Sequence, residues 1–205
     1  DWNYLNQNVS SFTIGGNYEI KFELTINGSA YIDYCSVYEE GLQIKKIPDV
    51  TSDTPTIETL TSTELGGQID TPIVVDGNYL YFGTYTGGKS YYQLNLTNNT
   101  LKTFTPSSDN FYWAGALTNT NGYVYFGSDN SKIYGRKISN FDAEGITPID
   151  LTTYASDAGQ VRSTLMSKDG YMYFTTKGGY LWCFKIESNG NLTHKWHEKL
   201  PAAST

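Results

Sequence analysis

The chain has 205 residues and a net charge of −7, with 17% charged and 15% aromatic residues, 18 of them Tyr. Basic residues never gather into more than a pair, as at Lys45 and Lys46, so a phosphate backbone would be repelled and nucleic acid is excluded as an expected partner. No apolar run approaches the ~20 residues of a membrane-spanning helix, and no amphipathic helix stands out; the 20 Gly among many Thr, Asn and Ser favour short strands joined by tight turns.

Within residues 1–48, "NYEIKFELTI" at 17–26 places Tyr18, Ile20, Phe22, Leu24 and Ile26 in alternation on one face. Asn27–Gly28 turns the chain and "AYIDYCSVYE" returns, the pattern of a β-hairpin. The polar, Pro-containing stretch 49–55 reads as a linker. From 56 onward the chain repeats itself. Gly77, Gly122 and Gly170 occupy one turn position, followed by "YLYFG", "YVYFG" and "YMYFT", and Phe82, Phe126 and Phe174 fall in register at separations of 44 and 48 residues. That period belongs to four-stranded propeller blades. Tyr79/Tyr81, Tyr123/Tyr125 and Tyr171/Tyr173 line one face of the strand, with Leu80/Phe82, Val124/Phe126 and Met172/Phe174 on the other, so both faces need cover, as in a blade between two neighbours.

A short strand precedes each of these and a third follows, "KSYYQLNL", "KIYGRKI" or "YLWCFKI". "LKTFT" and "LTHKW" read as outer strands, while "SNFDAEGITPIDL" predicts an irregular outer edge for the second unit. Residues 56–66 read as the outer strand of a preceding blade and "PAAST" as the lead-in to another, so the expectation is a segment of a longer polypeptide whose open blade faces self-associate.

The order of turn, aromatic strand and closing aromatic over residues 56–205 resembles the pyrroloquinoline-quinone-like repeat of quinoprotein alcohol dehydrogenase-like propellers and of a non-enzymatic outer-membrane assembly lipoprotein family. The resemblance implies an all-β fold: a partial β-propeller of three to four blades, each of four antiparallel strands. It further implies blade packing by Phe82, Phe126 and Phe174, with Phe104 and Trp196 closing blades onto their neighbours. "AYIDYCSVYEEG" resembles the last strand of jelly-roll modules related to carbohydrate-binding modules, which makes 1–48 the C-terminal part of a β-sandwich.

A working quinoprotein dehydrogenase would need a quinone, a calcium cage and usually adjacent cysteines. Cys35 and Cys183 stand far apart and read as separate thiols, so the expectation is a non-enzyme with no cofactor. "SSDNF" at 107–111 and "GSDNSK" at 127–132 carry oxygen ligands suited to Ca2+ but lack a spaced acidic ladder, and they read as turns. His194 and His197 are the only histidines; in a regular strand a spacing of three puts them on opposite faces, so no metal site is expected. "GGKS" within 84–90 lies between two strands, not before a helix, and reads as a hairpin turn rather than a phosphate loop.

Glycosylation sequons at Asn8, Asn27, Asn95, Asn98 and Asn191 favour an extracellular or cell-surface setting. Tyr112, Trp113, Tyr154 and Arg162 fall near inter-blade loops, where aromatic and guanidinium groups grip a protein loop or a sugar ring. The function expected is therefore non-catalytic binding or scaffolding of a surface protein or glycan. A structural surface-layer or filament component is the alternative, and a quinone- and calcium-dependent dehydrogenase the second.

Overall fold

The computed structural model describes residues 67–201 apart from 86–88 and 120, together with residues 45–46, 51, 53–54, 56, 58–59 and 65. The hairpin expected at 17–39, Asn8, Asn27 and Cys35 lie outside the described residues.

Two short strands, β1 (Lys45–Lys46) and β2 (Glu58–Thr59), pair antiparallel. Three four-stranded antiparallel sheets follow among the described residues, each built from consecutive strands. The first contains β3 (Val74–Asp76), β4 (Tyr79–Gly83), β5 (Tyr91–Asn95) and β6 (Leu101–Phe104). In the second are β7 (Leu117–Asn119), β8 (Tyr123–Gly127), β9 (Lys132–Lys137) and β10 (Ile149–Asp150). The third comprises β11 (Met166–Lys168), β12 (Tyr171–Thr175), β13 (Tyr180–Ile186) and β14 (Leu192–Lys199). These are the blades that the repeat predicts. The irregular edge of the second is also present: after β9 a 3-10 turn at Ile138–Asn140 carries the chain outward, and β10 pairs over only Ile149 and Asp150.

The repeat's two apolar faces are used as two interfaces. Tyr81 and Tyr91 of sheet one join Val124, Phe126 and Tyr134 of sheet two and the connecting Phe111 in one buried cluster. The Tyr91 and Phe126 rings lie parallel at 3.7 Å. Tyr125 and Ile133 of sheet two, with Leu151 just beyond β10, then meet Met172, Phe174, Trp182 and Phe184 of sheet three in another. The buried hydroxyls are paired, Tyr91 Oη donating to the Ala114 carbonyl at 2.8 Å and Tyr125 Oη to that of Gly190 at 2.7 Å, while Tyr81 Oη accepts from Gln93 Nε2 at 3.3 Å. Blade follows blade because each aromatic strand is apolar on both sides yet has its few polar tips paired.

Gly83 and Gly127 close the second strands of sheets one and two for a steric reason. A Cβ on Gly83 would lie 2.6 Å from Phe111 Cβ, and one on Gly127 would lie 2.2 Å from Val161 Cγ1. Each therefore admits the segment that leads into the next sheet. Thr175 holds the same position in sheet three and is exposed.

Register corrects one expectation about the closing aromatics. Phe104 pairs with Tyr91, whereas Trp196 pairs with Cys183, whose counterpart in sheet one is Gln93 paired with Lys102. The position of Phe104 is thus taken in sheet three by Glu198, because β14 runs past Trp196 to Lys199. Phe104 packs on Tyr134 at 5.2 Å and lies under the Arg136 guanidinium at 4.3 Å. Trp196 is 44% exposed, its ring 6.3 Å from that of Tyr173.

Candidate functional site

In an antiparallel sheet the end of the second strand, the start of the third and the end of the fourth share one edge, and the lead-in to the next sheet begins there. Three of the four binding residues expected from sequence meet on this edge. Tyr112 and Trp113 lie in the β6–β7 connection and stack at 4.5 Å with 21° between their planes. Tyr85, two residues after β4, approaches Tyr112 at 4.6 Å. Arg162, from the β10–β11 connection, sits with its Cζ 4.5 Å from the Tyr112 ring centroid. The same guanidinium donates from Nε and Nη2 to the two carboxylate oxygens of Asp129, both at 2.8 Å. These bonds fix the plane of the guanidinium over the ring and raise the already high pKa of Arg162.

Trp113 is presented outward by its own backbone. The segment is anchored on either side by Phe111 and Ala114, both fully buried, while Trp113 between them is 52% exposed. Its φ is +55°, in the left-handed region that a bulky L-residue enters at a cost. A strained, exposed indole stacked on a held tyrosine is a flat apolar platform with charged groups at its edge.

The two loops that carried calcium-type oxygens buttress this platform. Asp109 is buried; its Oδ1 accepts from the backbone N–H of Asn110 at 2.8 Å and of Asn130 at 3.1 Å, and its Oδ2 accepts from Tyr134 Oη at 2.9 Å. Its oxygens are thereby satisfied by donors and tie 107–111 to 128–131, the two loops that lead to Tyr112 and carry Asp129. Among the described residues no group of three or more His, Cys, Asp or Glu gathers as a metal cage. Cys183 is a buried free thiol.

Tyr154 belongs elsewhere. It stacks on His194 at 4.3 Å, and His197 in turn stacks on Trp182 at 4.6 Å. Here the opposite-face expectation for the two histidines fails: His194 Nε2 and His197 Nδ1 are 3.0 Å apart. Trp196 pairs with Cys183 and His194 with Phe184, which leaves Lys195 as an extra residue in β14. That bulge turns a spacing of three into a shared face.

Tyr85 and Asp129 were missed by sequence reasoning, although the repeat carries the signal. Both stand two residues beyond the closing glycine of the aromatic strand, and each amide donates to the preceding connection, Tyr85 to Gln68 and Asp129 to Asn110. Phe111 N–H likewise donates to Thr84 and Val161 N–H to Ser128, so Tyr112 and Arg162 are counterparts. One pair of repeat positions is therefore filled first by Tyr85 with Tyr112 and next by Asp129 with Arg162.

Comparison with protein-family models and with curated protein sequences gives no match. Solved structures do match. The quinohemoprotein alcohol dehydrogenase of Comamonas testosteroni superposes with a TM-score of 0.52 at 11% identity, over 65% of this chain and 21% of that one. The quinohemoprotein alcohol dehydrogenase ADHIIG of Pseudomonas putida HK5 gives 0.52 at 12% identity, over 66% and 21%. The fold is that of quinoprotein-type propeller blades. BamB from Moraxella catarrhalis gives 0.48 at 14% identity, over 65% of this chain and 38% of that one. The chain spans about a fifth of the length of either dehydrogenase.

Proposed function

We propose that this chain is part of a non-catalytic binding module of the cell surface or extracellular space, and that Trp113, Tyr112, Tyr85, Arg162 and Asp129 form its ligand-contact edge. The observation that carries the reading is the outward presentation of Trp113: an exposed indole at positive φ, held between two buried anchors and stacked on Tyr112. Such strain persists where the surroundings impose it and clusters at binding sites. Exposed aromatics beside a fixed guanidinium suit a protein loop or a sugar ring, with the flat face supplying stacking and the Asp129–Arg162 pair supplying polar contacts. Fold alone decides no chemistry, so the likeness to dehydrogenases lends this chain no activity.

The sequons support the extracellular setting. Asn98 and Asn191 are exposed in turns, and Asn95 closes β5 with its Oδ1 accepting from Thr97 N–H at 2.8 Å. Site-specific photo-crosslinking tests the reading. With a benzoylphenylalanine at Ser107, on the same edge, a discrete ligand from the producing cells should be captured by the chain bearing Trp113 and lost with Trp113→Ala. A control probe at Thr193 should capture none. Equal capture by the Trp113→Ala chain would remove the edge as the binding site.

A further inference from the structure

We propose that His194 and His197 form a bidentate site for a divalent ion that favours imidazole in tetragonal geometry, Cu2+ foremost and Ni2+ next. The pair lies away from the Trp113 edge and stands independently of the reading given to it. Its basis is geometric. The Lys195 bulge brings His194 Nε2 and His197 Nδ1 to 3.0 Å. With metal–imidazole bonds of about 2.0–2.1 Å, two nitrogens at that separation subtend about 91–97° at the ion. This is the cis angle of a square-planar or tetragonal centre and falls short of the tetrahedral angle that Zn2+ prefers.

The two rings are packed as a hydrogen-bonded pair, their centroids 5.2 Å apart with 49° between planes, so each must swing to aim its nitrogen at a shared ion. Tyr154, on the segment after the 3-10 turn Leu151–Thr153, covers His194 with 20° between planes, and Trp182 of β13 covers His197 with 26°. Both histidines are half-buried, so an ion can enter while the outer ligand positions stay open to water. Lys195 and Glu198 flank the pair along β14, and the Tyr180 ring lies 5.7 Å from that of His197. Tyr180 Oη donates to Asp157, and Lys199 Nζ pairs with the same carboxylate at 2.6 Å.

Proton bookkeeping fixes the pH behaviour. In the neutral pair one proton bridges Nε2 of His194 and Nδ1 of His197, and each ring carries a single proton. An ion that takes both facing nitrogens needs the remaining protons on Nδ1 of His194 and Nε2 of His197. The bridging proton therefore relocates through solvent to an outer nitrogen, and none is released by the neutral pair. At pH values where a ring is protonated, binding releases one proton per charged ring and weakens accordingly.

The chain has only these two histidines, which makes the test clean. One equivalent of Cu2+ added to the full, untagged chain at pH 7.5 should give an electron spin resonance spectrum with pulsed-echo modulation from two imidazoles. The same addition should quench Trp182 fluorescence. Second-shell changes alone cost about 10–100-fold in metal affinity, so His194→Gln and His197→Gln should each weaken Cu2+ binding by at least about tenfold. Circular dichroism of both variants checks that the sheets remain. Zn2+ should bind more weakly than Cu2+ in direct competition. A wild-type spectrum with one imidazole or none overturns the proposal without reference to any variant, as does undiminished affinity in a folded His197→Gln chain.

Discussion

Phe126 is the residue on which the account of blade packing rests most heavily. It is fully buried and contacts five rings: Tyr91 in parallel at 3.7 Å, Phe111 at 5.5 Å, Tyr134 at 5.9 Å, Phe104 at 6.0 Å and Phe141 at 6.3 Å. Truncation to Ala removes a whole phenyl group from between two sheets. Buried Phe→Ala changes cost about 3–5 kcal/mol, and the parallel pair with Tyr91 puts this one toward the upper end, at about 4–5 kcal/mol. Phe104 offers the internal control. It lies at the same interface but is half-buried under Arg136, so Phe104→Ala should cost about 1–2 kcal/mol. Urea unfolding followed by far-ultraviolet circular dichroism gives both values from shifts in midpoint at constant slope. A loss under about 1 kcal/mol for Phe126→Ala, or a larger loss for Phe104→Ala, would refute the inter-sheet cluster as the source of stability.

Three further outcomes follow from the same structure. The pKa of His194 is depressed, first by burial and then by the His197 charge, so the folded state binds protons less readily than the unfolded chain. Stability should hold above about pH 6.5 and decline as pH falls below it, read as a falling melting temperature that Tyr154→Ala reduces in extent. Tyrosines run the other way. Burial raises Tyr81 to about 12 and pushes Tyr91, Tyr125 and Tyr134 higher still, so stability is present below pH ~10 and lost above it as the unfolded chain ionises first; absorbance at 295 nm should show these phenols titrating only on unfolding. Finally, Gly190 has φ +86° and a Cβ there would lie 2.4 Å from the Tyr123 ring, so Gly190→Ala should lower stability by about 1–3 kcal/mol in the same urea assay, and no change would contradict the packing of that turn on sheet two.

The sheets were legible because the repeat leaves each aromatic strand apolar on both faces. Tyr81 beside Phe82, and Tyr125 beside Phe126, allow no solvent-facing side, and only a strand between two others satisfies that. The broken outer edge of sheet two was legible for the complementary reason: "SNFDAEGITPIDL" has no run long enough to pair. What the sequence concealed came from departures of a single residue. Nothing in "THKWHE" marks Lys195 as a bulge, yet that residue decides whether two histidines part or meet. Tyr154 could be placed near a connection but not assigned to one edge of it, since the β10–β11 segment carries Tyr154 to His194 and Arg162 to Asp129 within a few residues. Trp196 looked equivalent to Phe104 because both close outer strands, and only the pairing register separates them. Tyr85 and Asp129 became visible once successive repeats were superposed by their backbone bonds rather than by residue type.

The claim that ligand meets the Trp113 edge is tested most directly by the indole N–H resonances of the four tryptophans, recorded while a surface-polymer and surface-protein extract of the producing cells is titrated into the labelled chain. The account predicts that the Trp113 resonance shifts and broadens while that of Trp182, buried between sheets two and three, stays in place. A shift confined to Trp196, with Trp113 unmoved, would contradict it and move the binding surface to the exposed face of sheet three.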